Sequence, residues 1–319
     1  MASKPSRPAL IIHGGAGALG PARERPQRRR GMLAAAERGA EILRQGGSAL
    51  DAAMAAVVTL EDAPLFNAGY GSTLNADGKV EMDASVMIFP PSMAIDRAGP
   101  AAGASPRLGI GAVAAVSRVR NPIMLARAVM EFTPHVLMVG AGAERIAARA
   151  RLKRCRPEQL ISPRAREGWL ARKRTAQREH GTVGAVALDA RGAIAAATST
   201  GGIGGKLPGR VGDSAIVGAG TYADHRGGAS ATGLGEAIIK TMLCLEAVRA
   251  LDHADPSHAT RAAIARLRKI DDAEGGIIML DRQGRFGYAN NAEHMEVALF
   301  DPIGGVRGLR LNAAGEAIE

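Results

Sequence analysis

The sequence predicts an α+β sandwich, in which sheets pack together and helices form the outer layers. Three observations carry this. Several apolar runs are short and continuous, as in strands covered on both faces, where half-exposed strands would alternate. The helical patterns are grouped before and after these runs, so there is no regular βαβ alternation. Aromatic residues make up 3% of the 319 residues, apolar residues 46%, and glycines number 41. Such a core is built from Ala, Val, Leu, Ile and Met, with helices packed closely on sheets.

The elements follow in order. "PALIIHGG" reads as a buried strand ending in a glycine turn. Residues 30–44 and 48–61 carry helical spacing, and Ser48 with Asp51 forms a capping box at the second helix. "NADG" is a turn opening the strand "KVEMDASVMIF", and "GIGAVAAVSRV" is a further strand. "NPIMLARAVMEF" is a helix with Pro122 in its first turn. "HVLMVG" and "AGAERIAARARLKR" read as strand then helix. Residues 155–181 are charged, loosely patterned and contain Pro157 and Pro163, which predicts a flexible basic linker. "TVGAVALD" and "AIAAATST" are two short buried strands joined by the turn "DARG". Helices are expected near 235–250 and 256–269, and the hairpin "GGIIMLDRQGRFGYANN" closes the chain. The length allows one large domain or two small ones, internal repeats are not evident, and one domain over 1–319 is expected.

The net charge of +10 invites a nucleic-acid reading, but its distribution argues otherwise. The chain before Thr182 carries +12 and the chain from Thr182 onward −2, with +7 in residues 151–181 and +4 in "RERPQRRR". Two short basic stretches without aromatic stacking positions make a linker and a loop, not a nucleic-acid surface. No apolar run approaches the roughly 18–20 residues that span a bilayer, and the N-terminus lacks a secretory pattern. Cys155 and Cys244 lack metal-ligand spacing, so unpaired thiols in the cytoplasm are expected. "GAGALG" satisfies the dinucleotide-loop pattern, but "PARERPQRRR" follows where an apolar helix should begin. "GGIGGKLPG" fails as a phosphate loop, since Leu207 stands where a hydroxyl must meet magnesium.

Chemistry concentrates after Gly181. The charged segment gives way abruptly to Thr182 and a strand. A threonine hydroxyl needs an adjacent base to act as a nucleophile. Cutting the Gly181–Thr182 bond would supply one, because the new α-amine has a reference pKa of about 7.7–8.0. Taken locally, Thr182 is equally an ordinary strand opener. Arg210 and Asp213 lie three apart among glycines and could bind the carboxylate and ammonium of an amino acid, or simply pair with each other. Thr232 and Gly233 stand before a helix, where a hydroxyl and an N–H could hold an oxyanion or cap the helix.

Taken together and in order, "HGGAG", "LFNAGYGSTLNADGKVEMDASVM", "NPIMLARAVMEFTPHVLMVGAGAE", "HGTVGAVALD", "TSTGG", "GRVGDS", "GAGTYAD" and "TGLGE" resemble the plant-type asparaginase and isoaspartyl peptidase family of N-terminal-nucleophile hydrolases. The resemblance implies an αββα sandwich made as a precursor that cuts itself into an α chain (1–181) and a β chain (182–319). It implies hydrolysis of L-asparagine and β-aspartyl dipeptides by a homodimer of αβ units, without a cofactor for the chemistry. By position, Thr182 is the nucleophile and Thr200 its hydroxyl partner. Arg210 with Gly235 matches the α-carboxylate binder, Asp213 the ammonium acceptor, Thr232 and Gly233 the oxyanion hole, and Asn67 an active-site asparagine. The resemblance also implies a structural sodium ion on backbone carbonyls of Leu60, Glu61, Ala63, Phe66, Ala68 and Tyr70. The sequence departs from the family pattern at Leu234, over 88–111, which is longer than the usual turn, and in "NNAEHMEVALF". Two other classes stay open: a glycosylasparaginase or taspase-like protease, and a silent binding protein of the same fold. Gly181 argues against the glycosylasparaginases, which resemble "HDT" here, and the intact set of polar residues argues against the silent protein.

Overall fold

A computed structural model describes residues 6–18, 20–90, 108–172 and 181–318. Strands β1 (Ala9–Gly17), β2 (Met82–Phe89), β3 (Gly109–Val116), β4 (Leu137–Val139), β5 (Val183–Leu188) and β6 (Ile194–Thr200) lie in one sheet with β11 (His294–Asp301), β12 (Gly305–Asn312) and β13 (Ala317–Ile318). That sheet runs β13-β12-β11-β1-β5-β6-β2-β3-β4. Strands β7 (Thr221–Ala223), β8 (Gly227–Gly233), β9 (Gly275–Asp281) and β10 (Phe286–Asn290) form the second sheet in the order β10-β9-β8-β7. Among the strand pairs of the described residues, only β3 with β4 is parallel.

The central strands are apolar on both faces because both faces are covered. Leu10 and Ile12 of β1, Val183, Ala185 and Ala187 of β5, and Ala195 and Ala197 of β6 face the outer helices. These helices are α1 (Arg25–Arg44), α2 (Ala49–Asp62) and α3 (Pro122–Phe132), reached through Ala36, Val57, Leu60 and Ile123. The alternate residues Ile11, Val186, Leu188 and Ile194 meet Ile278 and Leu280 of β9 between the sheets. On the far side Ile277 and Met279 pack on α6 (Gly235–Thr241), α7 (Leu243–Arg249) and α8 (Pro256–Arg268) through Ile238, Leu243 and Leu267. The architecture is an αββα sandwich.

Local expectations hold at several boundaries. The Ser48 hydroxyl accepts from Asp51 N–H at 3.0 Å and donates to the Asp51 carboxylate at 2.6 Å, capping α2. The "DARG" turn closes on Asp189, whose carboxylate also accepts from Ala49 N–H at 3.1 Å and so ties the β5–β6 turn to α2.

Other expectations are corrected. The expected helix over 141–154 is only a short turn, α4 (Gly140–Glu144), followed by a 3-10 turn at Arg145–Ala148. The helix expected over 235–250 breaks at Met242, which takes the left-handed conformation at φ 46°. The segment read as a flexible linker is folded over its first part: a 3-10 turn at Pro157–Leu160 leads into α5 (Pro163–Arg172). Its apolar residues explain this, since Leu160 and Ala165 are buried and the Trp169 ring covers Gly78. Residues 173–180 and 91–107, which hold the rest of that segment and most of the long β2–β3 connection, lie outside the described residues. The chain closes on β11–β13, not on the β9–β10 hairpin.

Small residues permit the close approach of layers. A Cβ on Gly111 of β3 would collide with the Ala126 carbonyl of α3 and stand 2.8 Å from the Met130 Cβ. Gly111→Ala should therefore push α3 off the sheet and destabilise the protein by about 1–3 kcal/mol, as overpacking does. Urea unfolding checks this, and an unchanged midpoint would contradict the packing.

Candidate active site

The site forms where β5 begins, β6 ends and the loop after α2 crosses them. Asn67 is the junction. Its Nδ2 donates to the Gly181 carbonyl at 2.9 Å and to the Gly202 carbonyl at 2.7 Å. Its Oδ1 accepts from Thr73 N–H at 2.8 Å. Thr200, at the end of β6, donates its hydroxyl to the same Gly181 carbonyl at 2.9 Å and accepts from Gly202 N–H at 2.9 Å. The carbonyl immediately before Thr182 thus has two donors, and Thr182 itself is buried. Gly15, at φ 106°, lies against this peptide. A side chain there would meet Gly181 Cα and Thr182 N at 3.4 Å.

Thr232 is the penultimate residue of β8 and does not cap α6, whose capping position is Leu234. Its hydroxyl accepts from Ala16 N–H at 3.2 Å, next to the residue that covers the 181–182 bond. Gly233 takes φ 139°, where a side chain would strike the backbone of Glu274 and Gly275. Arg210, Asp213 and Gly235 come together: a Cβ on Gly235 would stand 2.7 Å from Arg210 Nη2 and 2.9 Å from Asp213 Oδ1. The simple pairing of Arg210 with Asp213 is not what forms. Arg210 instead makes a bidentate pair with Glu236, while Asp213 Oδ2 has no hydrogen-bond partner among the described residues.

Burial pushes the Asp213 carboxyl up from 3.8 to about 7, with its own backbone and Arg210 opposing the rise and Asp83 and Glu236 adding to it. Burial likewise lowers the His13 imidazole to about 3, against a hydrogen-bonding contribution from the Thr182 backbone. His13 is therefore neutral and serves as a hydrogen-bonding group: its Nε2 lies 2.9 Å from Ser230 Oγ beneath the start of β5.

Residues 6–302 match the family described as asparaginase. The chain belongs to the asparaginase family. It is 44% identical to the isoaspartyl peptidase/L-asparaginase of Bos taurus over 292 residues, 88% of each chain. The human isoaspartyl peptidase/L-asparaginase is 42% identical over 87% of this chain and 88% of its own. The isoaspartyl peptidase of Escherichia coli K12 is 38% identical over 90% of both.

In this asparaginase-family chain the loop after α2 folds tightly on its own backbone carbonyls. The glycines at 69 and 71 permit that close approach. A Cβ at Gly69 would strike the Glu61 carbonyl, and one at Gly71 the Phe66 carbonyl, with that of Ala63 at 2.9 Å. Uncharged oxygens suit an ion such as sodium better than a transition metal.

Sequence reasoning missed what three carboxylate side chains do around this site. Asp83 accepts from Gly212 N–H at 3.0 Å and Ala115 N–H at 2.9 Å, bracing the loop that carries Arg210 and Asp213. Glu61 is fully buried and accepts from Ser199 Oγ at 2.6 Å, one residue from Thr200. Glu236 pairs with Arg210 through two hydrogen bonds. A carboxylate within an otherwise apolar strand, as in "MDASVM", is the signal that could have revealed Asp83.

The Asp213 shift has a consequence for stability. An acid whose folded-state pKa is raised keeps its proton longer in the folded state. Folding stability then declines as pH rises from the unfolded value to about 7. Asp213→Asn removes that penalty. The variant should melt above wild type at about pH 8, by on the order of a few kcal/mol at most, and the gap should close toward about pH 4. Melting curves across this range decide it; a gap that does not vary with pH would assign the effect elsewhere.

Proposed function

We propose that this protein cuts its own chain before Thr182 and then hydrolyses L-asparagine and N-terminal β-aspartyl dipeptides. The observation that carries the reading is the Gly181 carbonyl, held by Asn67 Nδ2 and Thr200 Oγ1 at 2.9 Å each, one bond ahead of a buried threonine. Two donors on a carbonyl oxygen are what an oxyanion needs when a nucleophile adds to its carbon. The Thr182 hydroxyl adds to the Gly181 carbon, the peptide nitrogen leaves as the α-amine, and water hydrolyses the resulting ester. The products are an α chain, 1–181, and a β chain, 182–319, folded as one domain.

In turnover the freed α-amine takes the proton of the Thr182 hydroxyl. The oxygen attacks the side-chain carbonyl of the substrate. Thr232 and Gly233 hold the oxyanion, with Thr200 hydrogen-bonding beside the nucleophile. Ammonia or an amine leaves with a proton, and water releases L-aspartate from the Thr182 ester. Arg210, with Gly235 leaving it room, takes the α-carboxylate, and Asp213 takes the α-ammonium. The unpartnered Asp213 Oδ2 supports this assignment, since a buried carboxylate without a donor is a place where a ligand ammonium gains most. The activities for which the relatives are named, isoaspartyl peptidase and L-asparaginase, support the substrates.

We further propose a sodium ion on the carbonyls of Leu60, Glu61, Ala63, Phe66, Ala68 and Tyr70, which would stiffen the loop leading to Asn67. A dimer of αβ units follows from the family resemblance. The unpaired Cys155 and Cys244 suit a reducing cytoplasm. Among the described residues no helix is long and apolar enough to cross a membrane.

Two tests bear on this reading. Thr182→Ala lacks the attacking hydroxyl and should run on a denaturing gel as one 319-residue chain; a chain that still splits at this bond would refute self-cleavage by Thr182. The second compares Asp–Leu in its two linkages on self-cleaved enzyme. An α-linkage consumes the carboxylate that Arg210 reads, and losing a charge-assisted pair lowers kcat/KM roughly tenfold to over a hundredfold. The β-linked dipeptide should therefore be strongly preferred, and Arg210→Ala should erase most of the preference along with most of the activity. Equal rates for the two linkages would favour a protease of another type.

A further inference from the structure

The guanidinium assigned to the substrate carboxylate already holds a carboxylate. Arg210 Nε and Nη2 donate to the two oxygens of Glu236, each at 2.9 Å. This two-bond fork is the geometry an incoming α-carboxylate would also take. The two partners differ in freedom. The Arg210 side chain is 16% exposed and the Glu236 side chain, in the first turn of α6, is 49% exposed. Arg210 is also hemmed in, since a Cβ on Gly212 would stand 2.9 Å from Nη1 and one on Gly235 2.7 Å from Nη2. Beside it the buried Asp213 keeps Oδ2 without a hydrogen-bond partner among the described residues. One site therefore contains a hemmed-in cation whose partner is about half exposed and a buried carboxyl whose Oδ2 lacks a donor.

We propose that Glu236 is a latch on the substrate site: its carboxylate occupies the Arg210 fork in the empty enzyme and is displaced by the α-carboxylate of the ligand. The proposal rests on the reading of Arg210 as the carboxylate binder. The exchange trades one carboxylate for another at Arg210, so a ligand with a carboxylate alone gains little over the latch. A ligand that carries an ammonium on the same carbon also supplies the missing donor to Asp213. The latch weakens apparent affinity by the fraction of molecules in which the fork is free. An ion pair that is part exposed and bidentate sets that factor at roughly three- to thirtyfold.

The test uses self-cleaved wild type, Glu236→Gln and Glu236→Asp, with L-aspartate as the probe in titration calorimetry. Glu236→Gln keeps the size and loses the charge; Glu236→Asp keeps the charge and loses the reach. Both should bind L-aspartate roughly three- to thirtyfold more tightly than wild type, with KM for β-linked Asp–Leu falling by a similar factor and kcat changing far less. If Glu236 instead props Arg210 in position, both variants would bind more weakly and KM would rise, and the latch is wrong. Unchanged affinity, or no binding by any of the three proteins, also overturns it. Wild-type hydrolysis of β-linked Asp–Leu is scored separately. A wild type that does not hydrolyse it, alongside variants that bind L-aspartate more tightly, would remove the proposed reaction and leave the latch standing.

Discussion

One side-chain amide holds the site together. Asn67 donates to the carbonyls of Gly181 and Gly202 and accepts from Thr73 N–H, while its backbone carbonyl accepts from Gly201 N–H at 3.0 Å. Both Nδ2 protons and the Oδ1 are used, so the amide orientation is fixed by its partners. Three segments far apart in sequence meet there: the loop after α2, the end of β6 and the residue before β5. Without this junction Thr200 would still lie beside β5 by sheet register. The Gly181 carbonyl, however, would keep only one of its two side-chain donors.

Beneath the junction the sheets enclose a chain of hydroxyls. Ser230 lies between His13 at 2.9 Å and Thr198 at 2.7 Å; Thr221 donates to Thr198 at 2.6 Å; Ser85 reaches Thr221 at 2.8 Å and the Ser214 carbonyl at 2.6 Å. All of these side chains are uncharged and can each donate and accept. The hydroxyls are tolerable in the interior because they satisfy one another, while His13 Nδ1 has no hydrogen-bond partner among the described residues. The chain runs from below the start of β5 to the residue after Asp213. It links the two halves of the site through groups with little rotational freedom, which favours rigid positioning of both.

The sequence was informative where periodicity and local capping decide structure. The buried strands β1, β5 and β6, the capped helix α2 and the Pro122 start of α3 were all legible, and the residues singled out by family resemblance lie in two groups, Asn67 and Thr200 around the Gly181 carbonyl, and Arg210 and Asp213 around Gly235. Pairing across long sequence distances was not. β11 adds to β1 across nearly the whole chain, and nothing local in "NNAEHMEVALF" announces its partner. β8, "GGASATG", is built of small residues that hydropathy does not mark as a strand, yet it lies between β7 and β9. The folded stretch at 157–172 was hidden by its charge, because a few apolar side chains such as Leu160 anchor it while Arg166 stays exposed and Arg164 pairs with Glu24. Glu236 was passed over for a similar reason: its partner is 26 residues away.

The strand order has a mechanical meaning. In the large sheet β1 lies between β11 and β5, and the β5–β6 pair lies between β1 and β2. Strands from before and after Gly181 are thus interleaved, not stacked as two blocks. A chain nicked at that bond consists of two polypeptides that share the large sheet, with α1, α2 and α3 on the piece before the bond and the second sheet with α6, α7 and α8 on the piece after it. The apolar clusters on both faces of the large sheet draw side chains from both pieces, so separating them would take that sheet apart strand by strand and dilution alone has no route to do so. Two covalent pieces then behave as one cooperative body, held by the same ladders that held the single chain.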